Sequence, residues 1–383
     1  MELLVWTGIV LLGIPILFYA TYPALLKAIA RDRELRAEPL KVLPNLSIII
    51  PVYNERKMIE KRVKNFDQVT YPHELLKVIF VDGASTDGTP ELIEQLAAEG
   101  RPYVSVFRQP TRRGYNAGVY DGVTAATSDI VVLSEGGGIF QEGALESVVR
   151  YFANPAIGVV TGRPVPSNPD QSLATRMEVA YRIAHDKIRL TESVIDSTPD
   201  MKGELLAFRR EIGLKLRPGE TLPDDTGFDM AISYEARKSG WRTILDPEAV
   251  VYEYVPTTMK DRITVQIRRG TTFVGAMWIN RSMIFDHGLG LFGDLIVPSR
   301  FLMLMIFPWL LILGGIIMCI ACVYEPVLVP PILFLIGLCS VIRRLRYTFI
   351  SFVLSQFVLA IAVVRLLSGR SSQFIGTVSS ARQ

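Results

Sequence analysis

Cysteine and histidine are both scarce in this chain of 383 residues, with three of each. Cys319, Cys322 and Cys339 all lie in apolar runs and read as small buried hydrophobes, which argues against a disulfide framework or a thiolate zinc site. His73, His185 and His287 are far apart in sequence, so no histidine metal cluster is indicated. Excess charge of one sign is also missing: the formal net charge is +3, and no basic stripe interleaves with the aromatics, so nucleic acid is not an expected partner. There is no internal repeat and no low-complexity segment. What the chain does have is apolar residues, 49% of the total, which places part of it in lipid.

Residues 3–20 form an apolar stretch about long enough to cross a bilayer, extended by residues 22–26. A signal peptide would begin with basic residues; here the charges come afterwards, at Lys27, Arg31, Arg33 and Arg36. That asymmetry predicts a transmembrane helix over 1–26 whose far end faces the cytoplasm, followed by a linker over 27–45. From Leu46 onward strands and helices alternate, as in a mostly parallel sheet layered by helices.

Its first two strands organise the rest. Residues 46–52 and 76–81 are short Ile- and Val-rich runs that end in polar turns, at Tyr53 and Asn54 and at Asp82 to Ser85. Strands covered by helices on both faces read this way, and open α/β sheets hold ligands at such carboxyl ends. Further strands are predicted at 103–108, 130–134 and 157–162, with helices at 90–99, 116–126 and 143–152. The helix predicted at 173–194 mixes apolar with basic residues and reads as an ordinary surface helix. Residues 263–285 are amphipathic and contain Arg268, Arg269 and Trp278. Apolar runs follow at 301–324, 327–342 and 347–367; the second contains Pro330 and Pro331, and Arg343, Arg344 and Arg346 form a basic loop before the third. The predicted plan is one membrane helix, a domain over 46–262, an interface segment over 263–290, about three membrane helices within 296–370 and a tail over 371–383.

Several ordered motifs between Leu46 and Gly270 resemble those of the family 2 glycosyltransferases, in the membrane-embedded branch of hyaluronan, chitin and cellulose synthases and lipid glucosyltransferases. IIIPVYNE is similar to the family's nucleoside-holding segment, with Pro51, Tyr53 and Glu55 in its positions. VDGASTDGT puts Asp82 where the family's aspartate contacts the base; a carboxylate accepts hydrogen bonds from imide and hydroxyl donors. Asp87 reads as a helix-start residue instead. In RRGYNAGVYDG, Arg113 precedes a helix and is evenly balanced between phosphate contact and solvated surface charge, while Asn116 reads as structural.

One motif departs from the family. Where relatives carry an Asp-x-Asp for a divalent metal, this chain has IVVLSEGGGIF, so Glu135 stands for the first aspartate and Gly137 for the second. Hard cations want oxygen ligands, so magnesium or manganese binding is expected to rest on Glu135 and to be weakened. GELLAFRREI resembles the acceptor-side stretch and includes Gly203. TLPDDTGFD places Asp225 at the family's catalytic aspartate, with Asp224 replacing its glutamate. QIRRG keeps Gln266 and Arg269 of Gln-x-x-Arg-Trp, with Arg268 between them, but Gly270 replaces the tryptophan.

The resemblance implies a GT-A type, Rossmann-like α/β domain flanked by transmembrane helices. It also implies inverting transfer from a nucleotide sugar, expected to be a UDP-sugar, to a lipid-linked or membrane-associated glycan. Asp225 would act as base, and Pro51, Tyr53, Glu55, Asp82, Arg113, Gln266, Arg268 and Arg269 would hold the donor. Two other readings stay open: a processive polysaccharide synthase, and a catalytically silent membrane partner that binds a nucleotide sugar. The expected location is the plasma membrane with the domain in the cytoplasm, and a homo-oligomer is left open.

Overall fold

The computed structural model describes residues 2–38, 40, 42–223, 226–330 and 343–369. A helix at Glu2–Ala30 leads to an eight-stranded sheet. Its strands in chain order are β1 (Leu46–Val52), β2 (Leu76–Asp82), β3 (Val104–Arg108), β4 (Ile130–Leu133), β5 (Ile139–Phe140), β6 (Ile157–Pro166), β7 (Leu206–Arg209) and β8 (Arg242–Glu253). Across the sheet they run β3-β2-β1-β4-β7-β6-β8-β5. The first four positions are parallel, as expected. The sheet as a whole is mixed, because β7 lies antiparallel between β4 and β6, and β5 pairs antiparallel with β8.

The continuous apolar character of β1 follows from cover on both faces. Ile48 and Ile50 enter one core and Ile49 the other, all three fully buried. Each such side chain contributes roughly 1.5–3 kcal/mol relative to exposure. The connecting helices Thr89–Ala98 and Tyr115–Ala125 lie close to the expected spans, and the helix Arg56–Asp67 joins β1 to β2. Glycines let the last of these approach the sheet: a Cβ at Gly122 would stand 3.0 Å from Ile49.

A third core joins the domain to the apolar helices. Here the expectation for residues 173–194 is corrected. The helix Leu173–Ile195 is not an ordinary surface helix; it is packed between the sheet and the membrane-type helices, burying Glu178, Arg182, Arg189 and Glu192. Glu192 accepts hydrogen bonds from Tyr22 at 2.9 Å, from Thr198 at 2.8 Å and from Nε and Nη2 of Arg300, each at 2.8 Å. Ser351 donates to the Met177 carbonyl at 2.9 Å. Buried charges of this kind are tolerated only when paired and hydrogen-bonded.

Three described helices are long and apolar enough to cross a membrane: Glu2–Ala30, Phe292–Tyr324 and Leu345–Leu367. One precedes the domain and two follow it. Most of the run expected at 327–342 lies outside the described residues, as does the tail expected at 371–383. The amphipathic segment is a helix, Met259–Ile279, started by Thr258, whose hydroxyl accepts from Asp261 N at 3.1 Å. This helix packs along Arg343–Leu367, and Gly270 is at the contact: a Cβ there would stand 3.5 Å from both Val358 and Ala362. An alanine fits that gap and an indole does not. Gly270→Trp is expected to destabilise the protein by about 1–3 kcal/mol, with Gly270→Ala nearly neutral, in thermal melts of the detergent-solubilised protein.

Candidate functional site

The parallel register brings the carboxyl ends of β1 and β2 level, pairing Val52 with Asp82. Asp82 is 2% exposed; one carboxylate oxygen accepts from Ser85 N at 3.1 Å, and the other is buried with no donor among the described residues. An unmatched buried acceptor is costly unless a ligand supplies the donor. The two turns around it brace each other. Asn54 and Ala84 have positive φ, Asn54 N donates to the Ser85 hydroxyl at 2.9 Å, and Thr86 N donates to Asn54 Oδ1 at 2.9 Å.

Asp87 accepts from Arg56 N at 3.1 Å and from Thr89 N at 3.0 Å, so it ties two helix starts together. Tyr53 lies under Arg112, whose guanidinium is 3.9 Å from the ring centroid. Arg113 instead pairs with Asp121 at 3.0 Å and is half exposed. Pro51 packs beneath the Tyr115–Ala125 helix at Gly118. The Glu55 carboxylate lies beside Gly136, where a Cβ would stand 3.6 Å from it.

The acidic end of the site comes from three strands. Glu135 follows β4; Glu204 precedes β7, which starts where β4 stops because the pair is antiparallel; Glu253 ends β8. Each offers a carboxylate oxygen within 4.8 Å of the other two. Oxygen-only donors of this kind fit magnesium or manganese. Gly137 adds no ligand, and a Cβ there would meet nothing within 4 Å.

Arginines knit the cluster from one side. Arg269 reaches Glu204 at 3.0 Å, Glu178 at 3.8 Å and Glu253 at 3.9 Å. Arg182 pairs with Glu178 at 3.1 Å and closely with Glu253, and Arg262 reaches Glu178 at 3.4 Å. Arg268, one residue earlier on the same helix as Arg269, is exposed. The side-chain oxygen of Gln266 is buried and unpartnered among the described residues.

Burial, then repulsion from Glu204 and Glu253, pushes the Glu135 carboxyl up to about 8, against the pull of Arg269 and Arg268. Burial also opposes the Glu204 carboxylate, but Arg269, Arg182 and Lys202 outweigh it and hold the group low. A carboxyl raised in the folded state adds stability below its unfolded value that is lost as pH climbs through the folded one. Glu204 is already ionised across this range and adds no slope. The metal-free protein is therefore expected to melt lower near pH 8.5 than near pH 6. Manganese should raise the melting temperature more at the higher pH, because the carboxylate it needs is then free of its proton. Glu135→Gln should reduce both trends in a thermal-shift series, leaving the part of the first that the raised Asp229 and Glu253 carboxyls supply.

On the acceptor side, a Cβ at Gly203 would stand 3.3 Å from the Tyr115 hydroxyl and 3.9 Å from Asp229. Burial first, then Glu135, Asp229 and Glu204, drives the Tyr115 phenol well above its usual range. Asp229 is raised to about 6 by burial, with Glu204 and Asp200 adding and Lys202 opposing. Asp224 and Asp225 lie outside the described residues. Asn116 donates to the carbonyl of Thr226, the residue after Asp225, at 2.8 Å.

Two site carboxylates, Glu204 and Glu253, went unassigned in the sequence reading. Glu204 follows Gly203 in a segment read only for its glycine, and Glu253 ends a strand to which no role was given. A glutamate closing an Ile- and Val-rich run, as in AVVYE, is the signal that marks the second.

Residues 47–215 match glycosyl transferase family 2. The poly-beta-1,6-N-acetyl-D-glucosamine synthase of Staphylococcus aureus (strain COL) is 24% identical over 218 residues, 57% of this chain and 52% of that protein. The chain thus spans about half the length of these curated relatives. The beta-monoglucosyldiacylglycerol synthase of Nostoc sp. is 24% identical over 307 residues, 78% of this chain and 61% of that protein. Among solved structures, a mannosyltransferase from Pyrobaculum calidifontis in complex with GDP-Man and Mn2+ superposes with a TM-score of 0.80 at 24% identity. That match covers 96% of this chain and all of that one. This likeness makes the fold GT-A, with the mixed sheet curved as a half-barrel. Residues 47–215 thus form a glycosyl transferase family 2 domain.

Proposed function

We propose that the protein transfers a sugar, with inversion at the anomeric carbon, from a nucleotide-sugar donor to a lipid-linked acceptor at a membrane. The observation that carries this reading is the placement of the site. The helix bearing Gln266, Arg268 and Arg269 lies against a membrane-type helix on one side and reaches the Glu204 carboxylate on the other.

In this scheme Asp82 receives the base through its unmatched oxygen, with Tyr53 beside it. Arg268 and Arg269 face the diphosphate, where charge grows as the bond to the sugar breaks. Asp225 takes the proton of the acceptor hydroxyl as that oxygen attacks the anomeric carbon, and the nucleoside diphosphate departs from the opposite face. Glu135, with Glu204 and Glu253 beside it, would hold a divalent cation, which supplies Lewis-acid neutralisation of the diphosphate. The manganese bound by the Pyrobaculum calidifontis mannosyltransferase agrees with this cofactor class. Cytoplasmic orientation of the domain belongs to the same proposal, resting on the basic residues after the first helix, and residence in the plasma membrane is proposed with it on the simplicity of the chain.

Polymer synthesis is the second reading, supported by the Staphylococcus aureus relative. Against it, the position of the family's acceptor-site tryptophan is filled here by Gly270 with Val358 and Ala362 packed on it. The test is to incubate membranes holding the protein with labelled UDP- and GDP-sugars, with and without manganese, and to separate lipid, polymer and free sugar. Label in the lipid phase is expected. Label in polymer would replace the lipid reading, and binding without donor consumption would leave only a nucleotide-sugar-binding partner.

A further inference from the structure

The turn that carries Glu135 is Glu135-Gly136-Gly137-Gly138, and three successive glycines give its backbone no side chain with which to fix itself. Something else must hold it, and Arg62 is in place to do so. Arg62 lies in the helix Arg56–Asp67, fully buried, with no carboxylate at ion-pair distance among the described residues. Its guanidinium sits between the rings of Phe66 and Phe140, 4.5 and 4.2 Å from their centroids. One arm donates to the Gly138 carbonyl and, at 3.1 Å, to Asn65 Oδ1. The other donates to the Ser134 hydroxyl at 2.7 Å. The fork therefore grips the chain on both sides of the glycine turn.

Ser134 carries the connection onward. Its hydroxyl donates in turn to the Glu204 carbonyl at 2.7 Å, so one chain of hydrogen bonds runs from Arg62 past the residue before Glu135 to the backbone of Glu204. Asn65 completes the frame by accepting from Phe140 N at 2.8 Å and donating to Phe140 O at 3.0 Å. A buried cation without a counter-ion is expensive, and aromatic faces offset only part of that cost. A surface helix has no need of such a residue for packing, since methionine or leucine would fill the same space.

We infer that Arg62 is a positioning residue for the cation-binding end of the site, clamping the glycine turn so that Glu135 stands beside Glu204 and Glu253. The inference rests on the proposed transfer reading for its purpose, but its geometry is independent of which sugar is moved. It requires a planar fork: lysine keeps the charge and reaches one end of the turn only.

The test uses the full-length protein in detergent and reads manganese alone by electron paramagnetic resonance, beside calorimetric binding of uridine and guanosine monophosphates. Arg62→Lys and Ser134→Ala are expected to weaken manganese binding by roughly 10- to 100-fold, the usual penalty for losing an outer support of a metal site. Nucleotide binding at the Asp82 end, which Arg62 does not touch, should hold. If Arg62→Lys fails to fold, Ser134→Ala decides alone. Wild-type-like manganese binding in the folded variants overturns the inference, as does a matched loss of manganese and nucleotide, which would mark a general structural role. A wild type that binds no manganese overturns it too. Should the wild type move no sugar while the manganese loss in the variants persists, the transfer reading fails and the clamp stands.

Discussion

Asp225→Asn is expected to lower the turnover number by about 10²- to 10⁴-fold, the range that a positioned general base contributes, while leaving donor binding nearly unchanged. Asparagine keeps the size of the side chain and removes its capacity to take a proton. The neighbourhood makes this a sharp comparison, because a second carboxyl lies four residues on. Asp229 is raised to about 6, close to the operating range of a base, and it lies beside Gly203 and Tyr115. If Asp229 were the base, Asp229→Asn would abolish turnover, and the limb of the pH–rate profile near 6 would vanish with it. With Asp225 as base, Asp229→Asn leaves substantial activity. It should also raise the melting temperature above pH 6, because the raised carboxyl costs stability once pH passes its folded value. Steady-state kinetics of the two variants, with donor affinity measured separately, distinguishes the assignments.

The strands were legible where both faces are covered, since β1 and β2 read as unbroken Ile and Val runs ending in polar turns. The short strands β5 and β7 were not. β7 is four residues inside GELLAFRREI, and its antiparallel insertion between β4 and β6 is a tertiary choice that no local pattern encodes. That same choice sets Glu204 beside Glu135, so the acidic cluster was invisible for the reason the topology was. The Leu173–Ile195 helix misled for a different reason. Glu178, Arg182, Arg189 and Glu192 fall on one stripe, which reads as a solvated face. Each instead meets partners on other elements: Arg269 and Arg262 for Glu178, Glu253 for Arg182, the Asp200 carbonyl for Arg189 and Arg300 for Glu192. Charge pattern alone cannot separate a stripe in water from one whose counter-charges arrive from elsewhere in the chain. Gly270 was read as a replacement of the family's tryptophan. The contact with Val358 and Ala362 gives the glycine a packing reason as well.

Arg269→Met should cost more in stability than the other site substitutions. The wild-type guanidinium faces Glu204, Glu253 and Glu178 and lowers the proton affinity of Glu135. Methionine fills similar space and brings no charge, so carboxylates within 4.8 Å of one another lose their shared counter-charge. A fully buried pair that loses one partner costs about 3–5 kcal/mol, but Arg269 is 40% exposed and Arg182 stays beside Glu178 and Glu253, so the expected loss is smaller, about 1–3 kcal/mol. Proton uptake relieves part of this, so the loss should be larger near pH 8 than near pH 6. Catalysis should fall as well, by roughly 10²- to 10³-fold, the scale for losing one donor aimed at developing charge. Excess manganese supplies positive charge at the same carboxylates and should recover part of the stability in Arg269→Met, and less of the activity, since the cation does not replace the arm aimed at the diphosphate. Arg269→Lys separates charge from shape: an ammonium can meet Glu204 but not all three carboxylates together. Thermal melts and turnover across a manganese titration give both readings. Equal recovery of stability and activity would place Arg269 in the support of the cluster and leave the leaving group to Arg268.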